Sequence, residues 1–166
     1  RSVRRDDPRL LRTAGLTARP ASATARARAR LNAVGAHGGD SAFASAVLAQ
    51  LDANSGHFEA AAAEAMRAIV SMQPTLERPF PGALDGAVTT LAQRAAPALA
   101  GPVFERAIAD RPSWQLGYWG GAVVGGRAGG AACARAEQLA LELERFGWTA
   151  TEIVTLVQPC LSKHPS

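Results

Sequence analysis

The run Gly56-His57-Phe58-Glu59-Ala60-Ala61-Ala62-Ala63-Glu64-Ala65-Met66-Arg67-Ala68-Ile69-Val70-Ser71-Met72-Gln73-Pro74 decides the fold class. Alanine, glutamate, methionine and arginine are strong helix formers, and Gly56 and Pro74 punctuate the run at its two ends. No alternation of period two runs through it, so it reads as a helix from Phe58 to about Met72. The segment before it has the same character. Asp40 is placed to cap a helix from Ser41 to about Asn54, so the two helices face each other across a short break at Gly56.

The pattern returns further along. Ala100, Phe104, Ala107 and Pro112 follow the spacing of Ala61, Ala65, Ala68 and Pro74, with Phe104 where the first run has Ala65 and the first run's proline one residue late, and 34 residues beyond Ala100 stands Ala134, inside another alanine-rich stretch. The spacing from Ala61 to Ala100 is longer, which an extra loop at residues 78–82 explains. Leu48-Ala49, Ala87-Val88 and Gly121-Ala122 take matching paired positions upstream, with Tyr118 at an aromatic position before the last pair. Small residues let two helices of a hairpin approach, and a larger one fills the hole in the next hairpin.

On these residues the segment 42–146 resembles the tetratricopeptide-repeat family. The resemblance implies an all-α fold of stacked helical hairpins; the alternative is an irregular helical bundle. It further implies a concave groove lined by the first helix of each hairpin. Carried over by position, the groove residues are Phe43, Ala46, Gln50 and Asn54, then Asp85, Thr89 and Gln93, then Leu116, Trp119, Val123 and Arg127. Trp114 stands beside them in an aromatic cluster with Tyr118 and Trp119. The family's carboxylate-clamping groove needs several Lys, Arg and Asn residues. Here only Asn54 and Arg127 qualify, which argues against binding of a chaperone tail.

Further helices are expected over about Ser22–Val34, Leu84–Ala95, Pro102–Ala109 and Ala131–Phe146, and one opens after Ser113. Asp7-Pro8 to Gly15 reads as a short helix. Thr149 and Glu152 have capping-box spacing and open a final helix ending near Pro159. The domain organisation is a basic arm over 1–20, a helical repeat domain over 21–160 and a tail over 161–166.

Apolar residues make up 48% of the chain but aromatic ones only 5%, which suits helices packed through small side chains rather than sheets. Charge is unevenly placed. Residues 1–30 hold nine arginines against Asp6 and Asp7, a net +7, while the remainder carries −3, giving the chain's +4. A basic arm on a mildly acidic body points to an anionic partner for the arm, with Arg4, Arg5, Arg9 and Arg12 as its leading contacts. Arg26 and Arg30 share one face of the helix that follows.

Gly117, Gly121, Gly125 and Gly129 recur every four residues and form a bare stripe along one helix face, on which another backbone can lie closely. Two readings stand: contact with a partner chain or membrane boundary, or tight packing inside the domain. Gly121 to Arg127 lacks the lysine and the Ser/Thr of a phosphate loop.

No residues point to catalysis. His37, His57 and His164 lie far apart without ligand spacing and read as surface or loop residues. Glu142 and Glu144 do not share a helix face. No metal, cofactor or small-molecule substrate is expected. Cys133 and Cys160 lack ligand spacing and would pair only if the fold brought them together. The expectation is two reduced thiols and a reducing compartment, either an organellar interior after removal of a transit peptide or a bacterial cytoplasm. No stretch is long and apolar enough for an ordinary membrane span. The function expected is that of a non-catalytic structural or adaptor subunit, binding protein subunits of a larger complex through its hairpins and glycine-striped helix. The alternatives are an RNA- or ribosome-associated accessory protein, an arm bound to an anionic membrane surface, or a regulatory segment of a larger enzyme.

Overall fold

The computed structural model describes residues 25–33, 41–72 and 82–162. Among them the regular elements are helices, and no strand occurs. In chain order they are α1 (25–33), α2 (Ser41–Asn54), α3 (Phe58–Ser71), α4 (Gly82–Arg94), α5 (Pro97–Asp110), α6 (Gln115–Ala128), α7 (Ala132–Glu142), a 3-10 turn (Leu143–Phe146), α8 (Ala150–Leu156) and α9 (Gln158–Leu161). The expected short helix over Asp7–Gly15 and the arm over 1–20 lie outside the described residues, as do His37 and His164.

Local chemistry sets most boundaries. Gly56 takes a left-handed φ of +78°, which turns the chain from α2 into α3 at no steric cost. Gly147, at φ +87°, closes the 3-10 turn in the same way. Thr149 accepts from the Glu152 backbone N–H at 3.3 Å while the Glu152 carboxylate accepts from the Thr149 N–H at 2.7 Å, so the expected capping box is formed.

Three boundaries differ from expectation: the helix expected over Ala131–Phe146 ends as an α-helix at Glu142, and its last turn is the 3-10 turn. Helix α5 opens at Pro97 rather than Pro102, because Pro97 sits in the first turn, where the missing N–H has no helical partner to lose. Pro102 is then tolerated inside the helix, on its exposed side. The last helix does not run unbroken to Pro159: α8 ends at Leu156 and a four-residue α9 follows, carrying Pro159 in its first turn.

Helix α3 folds back on α2, and α7 folds back on α6. The first-position helices pack in succession, α2 on α4 and α4 on α6, while α3 packs on α5. The middle pair departs from this scheme: α5 barely touches α4 and leans instead on α3 and α6. The main core runs from Ala46, Ala49 and Ala53 through Ala61, Ala65, Ala68 and Ile69 to Leu84, Val88, Leu91, Val103, Phe104 and Val124. Alanine against alanine is what lets α2 and α3 lie close. A second core joins Tyr118, Ala122, Leu139, Leu143, Ile153 and Val157. Helix α6 contributes to both cores, so it is wrapped on several sides by its own chain. A helix in that position needs small residues around its girth, which accounts for its glycines.

Candidate partner-binding face

Helices α2, α4 and α6 hold the residues assigned to a groove, and the structure links them side by side. Gln50 of α2 lies directly against Gly86 of α4, where an added methyl group would displace its carboxamide. The Gln50 amide nitrogen donates to Asn54 Oδ1 at 2.8 Å. On α4, Asp85 is half-buried and hydrogen-bonded by Trp114. Burial raises the Asp85 carboxyl above its ordinary range, and the Trp114 bond pulls it partly back. Thr89 Oγ1 donates to the Asp85 carbonyl at 2.8 Å.

The aromatic and aliphatic members are drawn inward. Trp114, Leu116, Trp119 and Val123 are half-buried against the main core. Arg127 is engaged within the fold: its Nη1 donates to the carbonyls of Ala92 and Ala95, each at 2.8 Å, at the C-terminal end of α4. What remains outward is Phe43, 49% exposed in the first turn of α2, together with Asn54 and Gln93. Val70 is also exposed, and the α2–α3 hairpin brings it to the same end as Phe43. The face is therefore polar and largely self-satisfied along its length, with an aromatic group at one end.

The glycine stripe is covered by the chain itself. A methyl group on Gly117 would lie 3.3 Å from Ile108 Cγ1 of α5. On Gly121 it would lie 2.6 Å from Leu139 Cδ1, and on Gly125 2.8 Å from Ala136 Cβ, both on α7. Gly129 is the C-cap of α6, with φ +68°. Of the two readings of the stripe, the internal contacts correspond to packing inside the domain, of α6 against α5 and α7. Gly120, outside the stripe, makes the tightest approach among the glycines of α6, against the Phe104 ring.

Sequence reasoning missed a buried carboxylate. Asp52 of α2 is only 2% exposed in its side chain, and Arg28 of α1 donates to its Oδ1. His57 Nδ1 stands 3.7 Å from the same oxygen, and the His57 backbone N–H donates to the Asp52 carbonyl at 2.8 Å. Asp52 Oδ2 is buried without a hydrogen-bond partner among the described residues. The available signal was a lone acid flanked by Ala49 and Ala53 on a buried helix face. Beside it, Gly56, His57, Phe58, Ala60, Ala63 and Leu99 line an open depression of about 750 Å³, with Arg94 stacked over the Phe58 ring at 5.4 Å.

Other charged groups are paired locally. Arg135 of α7 grips Glu105 of α5 with two bonds, of 3.0 and 2.9 Å, which hold the Glu105 carboxyl below its usual range. Arg111 donates to the Ile69 and Met72 carbonyls at the end of α3. Among the described residues no group of three His, Cys, Asp or Glu side chains is placed to hold a metal ion. No described helix is long and apolar enough to cross a membrane. The leading arm residues Arg4, Arg5, Arg9 and Arg12 lie outside the described residues; Arg26 and Arg30 of α1 are exposed, while Arg28 turns to Asp52.

Cys133 and Cys160 form a disulfide, with Cα atoms 5.5 Å apart. The expectation of two reduced thiols is corrected: the break between α8 and α9 turns the chain so that α9 lies on α6, beside Cys133 at the start of α7. Such a bond is at odds with a reducing compartment. No protein-family model matches this chain, and no match was found among curated proteins or solved structures.

Proposed function

We propose that the protein is a non-catalytic adaptor or structural subunit that binds protein partners through stacked, tetratricopeptide-like hairpins. The observation that carries the reading is Phe43. It is a large aromatic side chain, 49% exposed in the first turn of α2, and Val70 near the end of α3 is exposed as well. Exposed aromatic groups next to apolar neighbours are the usual anchors of protein interfaces.

Two arginines support the stacked arrangement. Arg111, following α5, reaches the C-terminal carbonyls of α3, and Arg127, ending α6, reaches those of α4. Each ties its helix to the helix two before it, the neighbour expected in a hairpin stack. The weak contact between α4 and α5 speaks for a distorted member in the middle of the stack.

A photo-crosslinking amino acid placed at position 43, in the full chain within its native source, tests the proposal. The expected result is a discrete crosslinked protein that is lost when the crosslinker is moved to exposed Arg67. Equal, diffuse labelling from both positions would remove Phe43 as an anchor. A second reading, an accessory protein bound to RNA through the basic arm, is favoured by one observation: Arg26 and Arg30 are both exposed on α1. The disulfide favours an oxidising compartment for either reading.

A further inference from the structure

We propose that residues 148–162 form a strap over α6 and α7 that is latched by the Cys133–Cys160 disulfide and released by a dithiol reductant. Helix α8 has seven residues and α9 has four, both too short to persist as helices without tertiary support. That support is chiefly apolar, with Trp148 and Leu156 packed beside Ile153 and Val157. Trp148 Nε1 donates to Gln115 Oε1 at 3.2 Å, at the start of the strap. Beyond it, among the described residues, the side-chain hydrogen bonds of 149–162 stay within the strap, as in the Thr149–Glu152 capping box. Ile153 and Val157 pack into the second core, Pro159 lies over Gly126, and the disulfide fixes the far end.

The two cysteine residues are not equally sheltered. Cys160 is fully buried, whereas Cys133 is 7% exposed in the first turn of α7. Attack therefore falls on Cys133. The thiolate of the reductant bonds to Cys133 Sγ, the bond to Cys160 Sγ breaks, and Cys160 leaves as a thiolate that takes a proton from water. The second thiol of the reductant then displaces Cys133 and closes the reductant's own disulfide. Two electrons and two protons pass to the protein. With the latch open, the strap leaves α6 and α7, and the apolar groups beneath it, Tyr118, Ala122, Leu139 and Leu143, meet solvent.

The full chain, oxidised and after treatment with dithiothreitol, is compared by hydrogen exchange read peptide by peptide. Oxidised protein should weigh two hydrogens less than reduced protein, and reduction should speed exchange at least about tenfold within 150–162 while leaving α2 to α5 unchanged. Air or oxidised glutathione should restore the slow form. Cys160→Ser should show the open pattern without reductant, and Cys133→Ser should match it. Unchanged exchange in 150–162 after reduction would mean that packing alone holds the strap and would overturn the proposal. So would acceleration spread evenly over all helices, or two free thiols in protein never exposed to reductant.

Discussion

The Phe104 ring of α5 lies flat against the backbone of Gly120 in α6, with no room for even a methyl group between them. The ring is fully buried and is the largest such side chain in the main core. Glycine at 120 is therefore what permits the contact between α5 and α6, and Phe104 is what fills it. Truncation by Phe104→Ala should cost roughly 3 kcal/mol, as a buried aromatic deletion does. Gly120→Ala should also destabilise, by about 1–3 kcal/mol, because overpacking outweighs the gain of about 1 kcal/mol in helix propensity. Combining Gly120→Ala with Phe104→Leu should recover part of the loss. Denaturant unfolding of these variants and of Phe104→Leu alone checks this, and additive effects of Gly120→Ala and Phe104→Leu would contradict direct contact.

Arg127 offers a second test. Its guanidinium closes the C-terminal end of α4 by bonding two carbonyls that have no helical partner. Arg127→Ala should cost about 1–2 kcal/mol, roughly one per lost hydrogen bond, moderated by the exposure of the arginine. Arg127→Lys keeps the charge but not the planar fork, so thermal unfolding should place it between the other two. A lysine variant as stable as the parent would show that charge near the helix end, rather than the paired bonds, is what matters.

Asp85 predicts a dependence on pH. Its folded-state carboxyl titrates above its unfolded one, chiefly through burial. The folded state then holds the proton more tightly, so stability falls as pH rises from the ordinary carboxylate range through the raised folded value. Above that window the loss is complete. Asp85→Asn keeps an oxygen for the Trp114 bond and removes the titration. Its stability should match or exceed the parent's at neutral pH, and the difference should shrink in acid. The measurement is urea unfolding at several pH values; a parent that gains stability from Asp85 as pH rises would reverse the sign and refute the argument.

Arg28 and Asp52 form a pair in which only one member is deeply buried. Removing Arg28 leaves a carboxylate in the alanine core without its paired guanidinium, with His57 Nδ1 3.7 Å from it. A fully buried pair broken this way costs several kcal/mol; with the arginine 37% exposed, about 1–2 kcal/mol is expected for Arg28→Ala. Adding Asp52→Asn should return part of that loss. The double-mutant cycle, read by chemical unfolding, gives the coupling directly, and zero coupling would mean that α1 is not held at this point.

Much of the helical layout was legible because its signals are local. Ser41–Asn54 and the start of α3 at Phe58 follow from alanine runs broken by Gly56, and the capping box needs only Thr149 and Glu152. The burial of Phe104 was legible from its spacing to Ala100 and Ala107. What stayed hidden depends on how distant segments meet. Nothing near Cys133 announces Cys160, since the turn between α8 and α9 makes the pairing. Arg127 and Leu116 occupy groove positions by their spacing, yet neighbouring helices draw one to the end of α4 and the other toward the core. The glycine stripe was visible as a stripe, but only the packing of α5 and α7 shows what covers it.

The basic arm gives the last prediction, and salt is the handle. Arginine pairs bidentately with carboxylates and phosphates alike, so sequence charge does not choose between a protein and an RNA partner. The physics of release does. Binding dominated by RNA phosphates should weaken as a steep power of salt, with a slope near −0.7 for each contacted phosphate on a single strand. Docking on protein with an apolar centre should weaken far less, because burial of apolar area gains nothing from low salt. Three forms separate the cases: the full chain, a form lacking residues 1–20, and Arg26→Ala with Arg30→Ala on α1. Each is titrated against a single-stranded RNA and against the protein crosslinked from position 43, at two salt concentrations. With a protein partner anchored at Phe43, all three forms should bind that protein within a few-fold of one another and show a shallow slope. A steep slope toward RNA that collapses in the truncated form and in the double variant would instead move the principal site to the arm and displace the Phe43 face from that role.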